Sequence, residues 1–63
     1  MFTAQEKADA AKREVSYRRY VYPSRVAEGK MTQNNADRQI AIMAEIEADY
    51  RAQVPPNPQG ELL

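Results

Sequence analysis

A single glycine between two helix-forming runs limits this chain to few folds. It lies in Val26-Ala27-Glu28-Gly29-Lys30-Met31-Thr32-Gln33-Asn34-Asn35-Ala36. Glycine takes the left-handed conformation that ends a helix without the Cβ clash other residues suffer. Thr32 can then cap the next helix, its hydroxyl accepting from the backbone N–H of Asn34 or Asn35. Met31 precedes that cap and Ala36 stands at the fourth helical position, the spacing of a hydrophobic staple with a small second member. Gly29, Met31 and Thr32 are therefore the expected structural corner. A connection this short makes the flanking helices antiparallel neighbours, so the expected fold class is all-α, an antiparallel helical hairpin.

Size decides what must stabilise it. The chain has 63 residues, one domain at most. A core this small seldom supplies more than about 3–5 kcal/mol unaided; disulfides, metals or oligomers usually assist. There is no Cys and no His, which removes disulfides and the commonest zinc ligands. Oligomerisation is the help that remains, and the expected assembly is a homodimer paired into a four-helix bundle. Absence of Cys is compatible with a reducing cytoplasm. The formal net charge is zero, so bulk charge points to no polyanionic partner. No run of about 18 apolar residues exists, so no membrane span is expected. The start, Met1-Phe2-Thr3-Ala4-Gln5-Glu6, turns polar at once, unlike a secretory leader, and a cytoplasmic protein is expected.

Thr3 and Glu6 have the spacing of a capping box, with Phe2 before the cap as a second staple residue. Strong helix formers follow through Glu14. Ala4, Ala8, Ala11, Val15, Arg18 and Tyr22 fall on one helical face, thin because three of its members are alanine. Pro23 interrupts this run: it has no N–H and its ring clashes with the carbonyl of Arg19. The helix either ends near Tyr20, with a separate short turn through Glu28, or continues with a kink; a break or sharp kink at Tyr20–Tyr22 is favoured. Helix two is expected from Gln33 to about Ala52. Its apolar stripe is Ala36, Ile40, Met43, Ile46, Tyr50 and Val54. Ile40, Met43, Ile46 and Tyr50 are expected among the most buried residues, facing Val15, Tyr22 and Val26.

Ile42 lies off that stripe, flanked by Arg38, Glu45 and Asp49, and hints at a second contact surface. Two helices cannot surround the stripe, so Ile42, Met43, Ile46 and Tyr50 are the expected oligomer contacts. The rival is a monomer in which Tyr22–Glu28 folds over the stripe as a lid. Val54-Pro55-Pro56-Asn57-Pro58-Gln59-Gly60 stops helix two. The expected division is a helical hairpin domain over residues 1–54 and a disordered, Pro-rich tail over 55–63.

The chemistry-bearing stretch is Tyr17-Arg18-Arg19-Tyr20-Val21-Tyr22-Pro23-Ser24-Arg25. Arginines interleaved with aromatics suit phosphate contact and base stacking, so Lys12, Arg13, Arg18, Arg19 and Arg25 are the candidate nucleic-acid contacts. The competing reading uses the same charges structurally: a basic first helix pairs with an acidic second helix, and Tyr20 and Tyr22 supply apolar area. Glu47 lies two residues from both Glu45 and Asp49 on a helix, hence on a different face, and no metal or acid–base site is expected there. Ser16 and Ser24 have no base to activate them. No catalysis, cofactor or metal is expected.

The segment Arg19-Tyr20-Val21-Tyr22-Pro23-Ser24-Arg25-Val26-Ala27-Glu28-Gly29-Lys30-Met31-Thr32, with Ala36-Asp37-Arg38-Gln39-Ile40-Ala41-Ile42-Met43 and Asp49-Tyr50, resembles a family of short proteins of phages and prophages of Gram-negative bacteria. Its members show VYP-x-x-V-x-x-G-(K/R)-M-T followed by an amphipathic helix ending in Asp-Tyr. The resemblance covers about two thirds of the chain and carries over no catalytic residue. It implies a small accessory protein of phage or prophage origin in the cytoplasm of a bacterial host. The Gly29-Lys30-Met31-Thr32 corner alone also looks like the hairpin of short C-terminal oligomerisation modules. The expected function is binding of a host or phage protein; the alternative is a nucleic-acid-binding accessory protein using the basic Tyr/Arg stretch 12–30.

Overall fold

The computed structural model describes residues 1–55. The tail expected over 55–63 lies outside them except for Pro55. Two helices form, α1 over Ala4–Ala27 and α2 over Gln33–Arg51. At about 1.5 Å per residue they are roughly 36 and 28 Å long.

Each helix starts on its threonine. Thr3 and Glu6 close a full capping box: the Glu6 N–H donates to Thr3 Oγ1 at 3.0 Å, and the Thr3 N–H donates to Glu6 Oε1 at 3.0 Å. Two donors that the helix start would orphan are thereby satisfied. Bonding from the Thr3 backbone first, and from its hydroxyl second, holds the Glu6 carboxyl below the usual carboxylate range. Thr32 caps α2 alone, accepting from the Asn35 N–H at 3.1 Å.

Between them Gly29 has φ +74°, the left-handed region. The Gly29 N–H donates to the Val26 carbonyl at 3.0 Å and the Lys30 N–H to the Arg25 carbonyl at 2.8 Å. These nested bonds are a Schellman closure, which consumes the last carbonyls of α1 and reverses the chain. The corner therefore forms as the sequence predicts.

Pro23 does not end the first helix. The helix is continuous through it to Ala27, so the break near Tyr20 is corrected. Pro23 is exposed, and the next turn closes normally, with the Glu28 N–H donating to the Ser24 carbonyl at 2.9 Å. Tyr22 and Val26 on either side are half-buried. Packing on that inner face holds the turn where local preference alone would open it.

Three contacts fix the register. The Arg18 Nη1 donates to the Gln39 carbonyl at 2.9 Å, the Lys7 ammonium lies 5.2 Å from the Tyr50 ring centroid, and Arg51 Nη1 donates to Asp9 Oδ1 at 3.0 Å. Each pair joins residues at similar chain distances from Gly29. This register sets Ala8 and Ala11 opposite the Tyr50 and Ile46 turns, and Ala36 opposite Tyr22. Large side chains of one helix thus lie over small ones of the other.

The buried core is Ala8, Ala11, Val15 and Ala36. The faces are those the spacing predicts, since Ala4, Arg18 and Tyr22 on α1 are half-buried as well. The depth is not. Ile40, Met43, Ile46 and Tyr50 are only half-buried, which corrects the expectation that they would be among the most buried residues. Alanines at a close helix crossing are sealed by the neighbouring backbone. A longer side chain reaches past the partner helix and back into water.

Electrostatic pairing also departs from expectation. Among the described residues the cross-helix ion pair is Arg51 of α2 with Asp9 of α1, the reverse of a basic α1 on an acidic α2. Arg51 also reaches Glu47 at 3.3 Å. The bond to Asp9 and then that to Glu47 raise the guanidinium pKa further. All three partners remain open to solvent, Glu47 the least, so the cluster fixes register more than it stabilises.

Candidate functional site

Two outward surfaces carry the residues the sequence singles out. The first is one flank of α2. Ile42, 42% exposed, lies one helical turn from half-buried Ile46. Met43 and Tyr50 sit on the stripe that faces α1, with Tyr50 under the Lys7 ammonium. Ile42 and Ile46 therefore extend the apolar stripe past the edge of α1. Arg38, Glu45 and Asp49 are exposed around Ile42, and Ala41 is exposed and Ala44 half-buried on the opposite flank.

The second surface is the side of α1 turned away from α2. The five candidate basic residues do not gather there as one set. Arg18 is drawn into the hairpin: its Nε donates to Glu14 Oε2 at 2.8 Å while Nη1 holds the Gln39 carbonyl. Its guanidinium carbon is 6.0 Å from the Tyr22 ring centroid, and that of Arg25 is 5.9 Å from the same ring. Tyr22 thus gathers these two cations beside the inner face. Lys12, Arg13 and Arg19 are exposed, and none of them has an ion pair among the described residues. Tyr17 and Tyr20 stand with Arg13 on the outer side, 54% and 85% exposed, while Lys12 and Arg19 lie on its flank. Tyr20 does not supply the core area that one reading assigned to it. Its own position, two residues from both Arg18 and Tyr22 on a helix, already places it off the inner face.

Arg13 also lines an open depression near the start of α1, with Phe2, Glu6, Lys7, Asp9 and Ala10. Glu6 and Asp9 are committed to Thr3 and Arg51. Glu47 is held by Arg51, away from Glu45 and Asp49. Among the described residues no group of three or more carboxylates could hold a metal ion, and no helix is long and apolar enough to cross a membrane. Compared with protein-family models, with curated proteins and with solved structures, the chain finds no match in any of the three.

Proposed function

We propose that this chain is a small accessory protein of phage or prophage origin that acts by binding protein rather than by catalysis, in the cytoplasm of its bacterial host, and that a second copy of itself is its first partner. The resemblance of residues 19–50 supports the origin. The observation that carries the binding reading is the half-buried state of Ile40, Met43, Ile46 and Tyr50 beside exposed Ile42. Full burial of such a side chain is worth roughly 1.5–3 kcal/mol, much of it unrealised in a lone hairpin. A bend in α1 at Pro23 belongs to the same proposal.

Charge selects the second copy. Two α2 helices packed antiparallel about a two-fold axis near Met43–Ala44 would set Ile42 against Ile46 of the other copy. The same axis sets Arg38 against Asp49, so one patch complements itself in shape and charge. The result is a four-helix bundle with the α2 pair at its centre.

Sedimentation equilibrium over a wide concentration range tests it. A concentration-dependent dimer is expected. Arg38→Asp or Asp49→Arg alone should weaken it, and the two together should restore it. A mass that stays monomeric up to about millimolar protein overturns the proposal, because exposed apolar area of this kind would then have no self-partner.

A further inference from the structure

We propose that the outer face of α1, built on Tyr17 and Tyr20, binds single-stranded nucleic acid by base stacking. This goes beyond the α2 dimer and uses a different helix and a different side of it.

The two rings are one helical turn apart and both stand clear of the hairpin, Tyr20 almost wholly so at 85% exposure. A buried role does not account for them, since both stay exposed and neither belongs to the buried core. Arg13 lies one turn before Tyr17 on the same side. Lys12 and Arg19, two turns apart, form a parallel row on the flank toward Ser16, about a quarter turn round the helix from Tyr20 and well away from Tyr17. All three cations are exposed and outside the ion pairs of the described residues. From Val15 to Ala27 the helix has no carboxylate. Glu14 at its edge is occupied by Arg18. The face therefore presents aromatic surfaces with Arg13 in line and Lys12 and Arg19 along one flank, and the nearest carboxylate, Glu14 one turn before Tyr17, is already paired.

That chemistry favours a single strand. Every base has a π-face that can lie on a tyrosine ring, while its phosphates meet the flanking cations. In a duplex the bases stack on one another and expose phosphates and groove edges, so the rings would have nothing to grip. An acidic peptide would answer the charge but would leave the paired rings unused. Arg18 and Arg25, which complete the sequence pattern, are turned to Tyr22 and are not part of the face.

Fluorescence anisotropy of an end-labelled oligothymidylate of about a dozen nucleotides tests this, with quenching of tyrosine emission as a second readout. Binding at low salt is expected, falling with salt at a log–log slope near −2 for about three phosphate contacts on a single strand. Tyr17→Phe with Tyr20→Phe should keep the affinity. Tyr17→Leu with Tyr20→Leu should weaken it at least ~10-fold at unchanged helix content, because stacking and not charge is lost. Lys30→Gln, outside the face, should change it less than about twofold. No binding at about millimolar protein and low salt overturns the proposal. So does equal affinity of the double leucine variant, tighter binding of the matching duplex, or equal binding of polyglutamate. Sedimentation of the same samples reads the α2 dimer separately, so either proposal can fail alone.

Discussion

The two helices bury their inner faces in opposite ways. The inner face of α1 is built mainly from Ala4, Ala8, Ala11 and Val15, and of these Ala8, Ala11 and Val15 are sealed. That of α2 is built mainly from Ile40, Met43, Ile46 and Tyr50, none of them sealed, and its sealed member is the short Ala36. Residue hydrophobicity would rank them the other way. Between only two helices, depth of burial follows side-chain length inversely: the short side chain stays in the shadow of the crossing and the long one leaves it. What α1 gains is close approach, and what α2 retains is unsatisfied apolar area.

Truncation of the large residues is the strongest way to break that contrast. Ile46→Ala should cost about 2–5 kcal/mol if a second copy seals the site, most of the stability of so small a protein. In a lone hairpin the half-wet side chain is worth less, about 1 kcal/mol. Urea unfolding at two protein concentrations separates the cases. A small cost independent of concentration would mean that α2 has no further partner on this face.

The opposite substitution sharpens it. Ala8→Leu adds volume where no space is left and should destabilise by about 1–3 kcal/mol, although it raises hydrophobicity and keeps a good helix former. Thermal unfolding of this variant beside Ala10→Leu, on the exposed side of α1, reads the difference directly. Equal midpoints would show that the helices do not approach closely at Ala8.

Much of this molecule was legible in its sequence because it is governed by short-range chemistry. Thr3 with Glu6, Thr32 with Asn35, and the positive φ of Gly29 follow from residue type and spacing, and both inner faces follow from helical periodicity. Three features depend on tertiary geometry and could not be read locally. Pro23 loses a backbone bond, yet packing of Tyr22 and Val26 keeps the helix running. Burial depth depends on how closely the helices approach. The fate of each arginine depends on register: Arg18 reaches Gln39 across the crossing, whereas Arg19, one residue on, faces water.

The corner that sets this register is worth less than the packing it directs. A Cβ added at Gly29 would meet no atom within 4 Å, so Gly29→Ala carries no clash. Only the left-handed backbone remains, and the expected cost is about 1 kcal/mol. Gly29→Asn should cost less, because asparagine tolerates that conformation better. If chemical denaturation gave alanine and asparagine equal stability to the parent, the Schellman closure would not be holding the two faces in register.

The smallest effect expected is one of pH, and it probes the start of α1, where the alanine face begins. Folding holds the Glu6 carboxyl below its ordinary range, through the Thr3 backbone N–H first and the Thr3 hydroxyl second. A carboxylate preferred in its ionised form by the folded state stabilises that state above the unfolded pKa, and the contribution is lost as pH falls through the lower folded value. Negative charge in the first turn also suits the helix dipole, so protonation removes two favourable terms together. Between about pH 7 and pH 3 the thermal midpoint should therefore fall, and helix loss should begin at residues 4–8. Glu6→Gln keeps a hydrogen-bonding partner for Thr3 but does not titrate. Its midpoint should lie slightly below the parent at neutral pH, and the gap should close on acidification. Backbone amide exchange over residues 4–8 at both pH values provides the local check. A gap that stays constant with pH would remove Glu6 as the titrating group and leave the box a purely geometric cap.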